Sequence, residues 1–340
     1  MGQEGILILG SNQPAALELI YSSELISLGI RNKIVGIQNI FLAHYTKSFL
    51  KKIVYRLGIS QIESTIQKVI KAEVSEFNPK TILVFKGMEI QPKTLQWIKS
   101  KGIQVVNYNP DSPFVFSGRG SGNKNVTKSI NLFDCYLTYD KTIKEELDKR
   151  SIKSAIIPFG FDSNGFNYND IEEKDEVLKL CFLGNADKFR IEFLEQLARK
   201  GVKIDVYGEN WSAVSLHENI SKFGPQYGAE FWQTLQKYAL QLNLLRPHNL
   251  HSHNMRSFDV PGAGGIMLAP RTTDHQTYFR ESSEVFLFSD INEAIRQVQF
   301  IMQLSFSVRQ KIRQEARLNA LENHTYSHRT LQLVEYLDVK

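Results

Sequence analysis

Residues 240–271 read LQLNLLRPHNLHSHNMRSFDVPGAGGIMLAPR. The apolar run at 242–245 predicts a short strand, which leads into a polar loop rich in His and Asn. A short helix is expected around 254–260, stopped by Pro261-Gly262, after which Gly264-Gly265 turns the chain into a second apolar strand at 266–269. Strand, helix and strand within about 30 residues is the unit from which parallel sheets with helical crossovers are built. The stretch also gathers Arg256, Asp259 and amides of the polar loop near strand ends, a combination suited to an anionic ligand.

The same alternation extends in both directions. Toward the N-terminus, 5–13 reads as a buried strand entering a tight turn, where Ser11 or Asn12 can cap a helix over 14–28 that ends at Gly29. Further strands are expected at 33–37, 81–85, 103–108, 134–139 and 154–157, with helices at 60–77, 91–101 and 141–150. The segment 164–175 is polar and acidic with almost no apolar pattern, which marks a linker. Beyond it the pattern restarts with a strand at 178–183, a helix at 188–200 and a strand at 203–207. Past Arg271 a helix at 272–279, a strand at 284–288 and helices at 291–304, 305–322 and 327–337 are expected. The fold class is therefore α/β, with two similar domains at 1–160 and 178–322, a linker at 161–177 and a C-terminal helix in 323–340 that can cross back to the first domain. Two domains suit 340 residues, because single cores seldom grow past about 250–300.

Composition sets outer limits. Hydrophobic residues at 42% and charged residues at 23% are ordinary for a globular chain. The first residues hold only a short apolar run, 6–9, so neither a signal peptide nor a spanning helix is expected, and Cys135 and Cys181 lie in strand-like runs as reduced core thiols. These readings favour a cytoplasmic protein. The net charge of +5 favours anionic partners, and no zinc finger or basic reading helix points to nucleic acid. Between 45 and 57 an amphipathic pattern places Phe49, Leu50, Ile53, Val54 and Leu57 on one face, with Lys47, Lys51, Lys52 and Arg56 around it. That helix either packs on the core or docks on an anionic membrane.

Several residues stand out for chemistry. The first strand is followed by a single glycine and not by G-x-G-x-x-G, and the second ends in Gly36-Ile37-Gln38 without an acid, which argues against a dinucleotide site. Asp111, in NYNPDSPF at the end of a parallel strand, is either a turn carboxylate or a general base for an acceptor hydroxyl. The loop 117–124, SGRGSGNK, reads as a mobile lip. Lys188 and Arg190 stand at a helix start where they can add charge for a diphosphate, and the aromatic strand-end loops 207–211 and 223–227 can read a nucleobase. His248, His251 and His253 lack the spacing of a helical metal motif and have no cysteine nearby, so they are read as polar loop histidines, with His253 as a ligand contact.

SHNMRSFDVPGAGGIMLAPRTTDH, with the upstream IPFGFD, CFLGN and VYGENW, resembles the C-terminal half of the spore-maturation-type branch of group 1 glycosyltransferases with the GT-B fold. YNPDSPF and VFKG resemble that branch's N-terminal half. The resemblance implies two Rossmann-like domains facing across a cleft, with a nucleotide-diphosphate sugar such as a UDP- or GDP-sugar bound mainly by the second. It further implies a glycan, lipid-linked or protein acceptor held mainly by the first, and no cofactor or metal. The sequence contains no D-x-D triplet. Donor contacts are then expected from Gly184, Asn185, Lys188, Arg190, Asn210, Tyr227, Asn254, Arg256, Asp259 and Gly264, and acceptor contacts from Ser11, Asn12, Lys86 and Asn109, with Asp111 and His253 as catalytic candidates. Many retaining enzymes of this fold carry E-x7-E, whose second carboxylate holds the donor ribose. Asp259 occupies that position as a shorter carboxylate, whereas His251 replaces the first, which leaves the stereochemical course open.

Overall fold

Strands flanked by helices on both faces are buried on both sides, and the chain's strands are accordingly near-continuous apolar runs. The structure is a computed structural model that describes residues 5–57, 60–116, 121–245 and 251–339. The chain divides into two compact units, residues 1–158 with 326–340, and residues 159–325.

The first unit runs β1 (Ile6–Leu9), α1 (Leu17–Ser27), β2 (Asn32–Val35), α2 (Ile37–Thr46), α3 (Phe49–Arg56), α4 (Ile62–Phe77), β3 (Thr81–Phe85), α5 (Pro92–Lys99), β4 (Gln104–Asn109), α6 (Lys124–Ser129), β5 (Cys135–Thr138), α7 (Lys141–Lys149) and β6 (Ser154–Ile156). Its sheet has the order β2-β1-β3-β4-β5-β6, every pair parallel. All four residues of β1 are fully buried, as are Ile82, Leu83 and Val84 in β3.

The second unit runs β7 (Val177–Leu183), α8 (Lys188–Arg199), β8 (Ile204–Tyr207), β9 (Ile220–Phe223), α9 (Gly228–Lys237), β10 (Tyr238–Leu242), α10 (Arg256–Gly262), β11 (Met267–Pro270), α11 (Thr273–Tyr278), β12 (Val285–Phe288), α12 (Ile291–Gln303) and α13 (Phe306–Asn323). Its sheet, order β12-β11-β10-β7-β8-β9, is also wholly parallel. The final helix, α14 (Tyr326–Val334), belongs to the first unit, where Tyr326 sits edge-on to Tyr21 of α1 and Ser327 donates to Glu24 at 2.5 Å.

Each order contains a reversal, between β1 and β3 in the first sheet and between β7 and β10 in the second. Crevices beyond the carboxyl ends of the strands at such reversals are where open parallel sheets bind ligands.

Several expected boundaries move. The helix foreseen over 45–57 is broken at Ser48, whose side chain accepts from the Lys51 amide at 3.2 Å and starts α3 afresh. The strand foreseen at 242–245 is β10, four residues earlier, because the unforeseen α9 ends directly against it. α1 starts at Leu17 and its cap is Ala16, so neither Ser11 nor Asn12 caps it. The expected linker is packed within the second unit: Phe161 pairs with Thr325 in a parallel bridge, and Phe166 stacks on Trp232.

Candidate functional site

The loop after β10 and the start of α10 are held by a buried polar network. Asn254 Nδ2 donates to Asn243 Oδ1 at 2.8 Å, while Asn254 Oδ1 accepts from the Ser257 amide at 3.1 Å. His275 Nδ1 lies 2.8 Å from the Pro270 carbonyl and must donate to it, so Nε2 accepts from Ser257 Oγ at 2.8 Å. Burial, with the neutral ring already satisfied, lowers the His275 pKa to about 4. His253 has the same character. Its Nε2 accepts from the Phe159 amide at 3.2 Å, which leaves Nδ1–H to donate to Asp274 at 2.6 Å, and the ring is fully buried among Phe159, Phe258 and Tyr278. The ring nitrogens of His253 are therefore both bonded within the protein, and Asn254, half-buried, uses its amide to hold the loop.

One turn further, α10 presents Arg256 and Asp259. Their side chains pair at 2.8 Å, with Asp259 almost wholly buried and Arg256 about a third exposed. Burial pushes the Asp259 carboxyl up to about 6; Arg256 opposes the shift and Asp162 adds to it. The guanidinium lies over the Phe231 ring, 4.2 Å from its centroid, and its Nε is buried with no acceptor among the described residues. Such a donor costs about 1–3 kcal/mol if nothing ever meets it.

The glycines that follow have a packing cause. At Gly264 φ is +79°, and a Cβ would stand 2.7 Å from the Tyr168 ring; at Gly262 it would lie 2.3 Å from Phe161. At Gly264 the backbone therefore comes close to the Tyr168 ring.

At the neighbouring strand ends, the turns after β7 and β8 touch backbone to backbone. A Cβ on Gly208 would lie 2.3 Å from the Gly184 carbonyl oxygen, which also accepts from Trp211 Nε1 at 2.8 Å. Asn185 Oδ1 accepts from the Glu209 amide at 2.9 Å and locks the pair. Arg190 reaches back to the Asn185 carbonyl at 2.9 Å and pairs with Asp187 at 3.3 Å, so it braces this turn. Lys188 is 91% exposed and 3.9 Å from Glu192. Asn210 is exposed in a left-handed conformation, and Tyr227 is 70% exposed.

In the first unit the structure brings two candidates together: Lys86 Nζ and Asp111 Oδ2 are 2.6 Å apart, at the ends of β3 and β4. Asn109 is fully buried, donating to Tyr136 at 2.8 Å and accepting from the Asp111 amide at 3.0 Å, so it ties the turn after β4 to β5. The Ser11 amide donates to the buried Glu18 at 2.7 Å, and the Asn12 amide donates to Asn39 at 2.9 Å. The sequence reading missed Glu18 and Glu89. Burial raises both carboxyls, Glu89 to about 7. Glu89 could have been found as an acid just beyond the end of a buried strand, in KGMEIQP.

His248 and residues 117–120 of the expected lip lie outside the described residues, and among the described residues no three His, Cys, Asp or Glu side chains group as metal ligands. His251 is exposed.

Two parallel sheets of Rossmann type define a class of architecture, and comparisons narrow it. Residues 190–335 match the family described as glycosyl transferase-like. A glycosyltransferase from Rickettsia africae superposes with a TM-score of 0.67 over 99% of this chain and 98% of that one, at 10% identity. Sucrose-phosphate synthase from Thermosynechococcus elongatus gives 0.68 over 98% of each, at 10% identity. HepE of Anabaena, in complex with UDP and glucose, gives 0.64 over 98% and 99%, at 13% identity. No curated protein matches the chain. The chain thus shares the GT-B fold with these structures, and its second half is similar to the glycosyl transferase-like family.

Proposed function

We propose that the second unit binds a nucleoside diphosphate sugar at the carboxyl ends of β7, β8 and β10, and that the enzyme moves a hexose from it to an acceptor hydroxyl without a divalent metal. The observation that carries this is Arg256 Nε, a cationic donor buried without an acceptor beside a buried carboxylate. The site follows the strand reversal, and a structural neighbour of the same fold was obtained with UDP-glucose. In the reaction the acceptor oxygen bonds to the anomeric carbon, the bond from that carbon to phosphate oxygen breaks, and the diphosphate leaves with added negative charge. Arg256 meets that charge, while Asp259 accepts from ribose hydroxyls; its second task is to hold the guanidinium in place. Asn210 and Tyr227 are proposed at the base, and Lys188 as a flexible outer charge. In the first unit Asp111, held by Lys86, is the proposed acceptor of the hydroxyl proton, with Ser11 and Asn12 beside the acceptor. The run around Met255–Gly265 supports the spore-maturation-type branch as the particular subtype.

Titration calorimetry with UDP and GDP, followed by nucleotide release from UDP- and GDP-sugars with and without acceptor sugars, tests the reading. Arg256→Ala is expected to weaken nucleotide binding about 10- to 100-fold, the worth of a charge-assisted hydrogen bond. An unchanged affinity removes the donor assignment, and release to water alone makes the protein a hydrolase.

We also infer that α3 rests on an anionic membrane from the cytoplasmic side. Phe49, Leu50 and Leu57 are 73%, 70% and 68% exposed, so the apolar face is not spent on the core, and Lys47, Lys51 and Lys52 surround it. Among the described residues no helix is long and apolar enough to cross a membrane. Co-sedimentation with vesicles containing phosphatidylglycerol, lost in Phe49→Ser/Leu50→Ser, is the expected result; equal binding to neutral vesicles overturns it.

A further inference from the structure

The first unit contains a cavity of about 520 Å3 between α2, α3, α4, the loop after β3 and the approach to α6. That volume is within the range of small-molecule sites. One wall is aromatic: Phe41 and Tyr45 of α2 stack with centroids 5.5 Å apart, and Tyr55 of α3 stands edge-on to them at 5.1 and 5.6 Å. Two carboxylates, Glu63 of α4 and Glu89 of the loop after β3, join Gln38 and Asn123 in the polar lining, and among the described residues no Lys, Arg or His lines the cavity. The cavity is thus acidic in a chain whose net charge is +5. Beside it, Gln91 Nε2 donates to Glu63 at 2.8 Å, while Gln91 Oε1 is buried without a donor among the described residues, which adds a further acceptor. Nearby cations are committed elsewhere: Lys86 is paired with Asp111, and Lys52 lies 5.8 Å from the Tyr45 centroid without being part of the lining.

We propose that this cavity binds an organic cation, an ammonium carried on an apolar or aromatic body. Ring faces carry negative quadrupole charge and attract ammonium groups, and carboxylates supply the direct counter-charge. Phosphates and carboxylates are repelled by the same lining, so this is a different class of ligand from a nucleotide. The site lies wholly in the first unit and does not depend on the second unit's taking a nucleotide sugar.

The groups facing Glu89 give the site a pH dependence. Burial holds its carboxyl up at about 7, with Lys86 opposing and Glu18 of α1 adding, and Glu63 and Glu89 together help raise the Tyr55 hydroxyl, after burial. Below about pH 7 Glu89 takes up a proton and the cage loses one of its two charges, so cation affinity falls as pH falls.

The test is titration calorimetry of the whole chain with phenethylammonium and with its neutral counterpart 2-phenylethanol, at about pH 8 and pH 6. The cation is expected to bind about tenfold or more tightly than the alcohol at the higher pH, with affinity dropping at least about threefold at the lower one. Glu63→Gln/Glu89→Gln, checked by circular dichroism to be folded, removes the preference for the cation, and Phe41→Ala weakens both probes. Absence of cation binding to the wild-type chain, equal binding of the alcohol, or full cation affinity in the double glutamine variant overturns the proposal.

Discussion

Glu89 in the first unit and Glu176 in the second are both removed from water, yet they are pushed in opposite directions. Glu89 makes no ion pair among the described residues, and burial lifts it to about 7. Glu176 is also penalised by burial, but Arg309 and Arg313 both bond it, Arg313 at 2.6 Å, and hold the carboxyl below its usual range. Asp259, with the single partner Arg256, stands at about 6. The comparison teaches that burial alone does not set a carboxyl's charge; the number of guanidiniums within reach does. Two sheets of like topology therefore carry different instruments. One has a cavity lined by aromatic rings and two carboxylates, the other arginines paired with buried acids.

The largest expected effect comes from breaking the fully paired case. Glu176→Ala leaves two buried guanidiniums without their counter-charge and should cost about 3–5 kcal/mol. Hydrogen exchange should show β7 and β10 losing protection while β1 and β3 keep theirs; equal losses in both units would mean that the pair does not belong to the second unit's stability alone. Gly264→Ala sharpens the local picture around α10. Forcing a side chain to φ +79° against Tyr168 should cost about 1–3 kcal/mol in urea unfolding, and a neutral result would show that this packing relaxes freely.

The effect of Glu89→Gln is set by pH, near zero in acid and stabilising in base. The folded-state pKa of about 7 lies above the ordinary carboxyl value of 4.5, so the folded protein binds the extra proton and gains stability at low pH, and loses that gain as pH rises through 7. The variant should therefore be more stable than wild type at about pH 8 and equal to it below about pH 4.5. For Glu176 the order reverses, since its stabilisation is present above the unfolded pKa and lost as pH falls through the folded one.

The parallel sheets were legible because strands buried on both faces must be written as unbroken apolar runs, as in ILIL at β1 and TILVF at β3. α2 and α9 were not legible. α2 follows β2 with the single residue Gly36 between them, and α9 runs into β10 with no residue between, so neither junction carries the run of turn residues on which boundaries are read. At the site, residue types were readable but their partners were not. Arg256 and Asp259 are three apart on a helix, and their pairing follows from that spacing. That His253 would turn inward on Phe159 and Asp274, 94 and 21 positions away, has no local signature.

By itself the sequence determined the α/β alternation and the two-part chain, because hydrophobic period and turn residues act over a few positions. Only the tertiary structure decided which polar side chains are spent holding loops, which glycines are spacers, and that Phe41, Tyr45, Tyr55, Glu63 and Glu89 share one cavity. Those outcomes are set by desolvation and by contacts between residues far apart in the chain, and no local pattern encodes either.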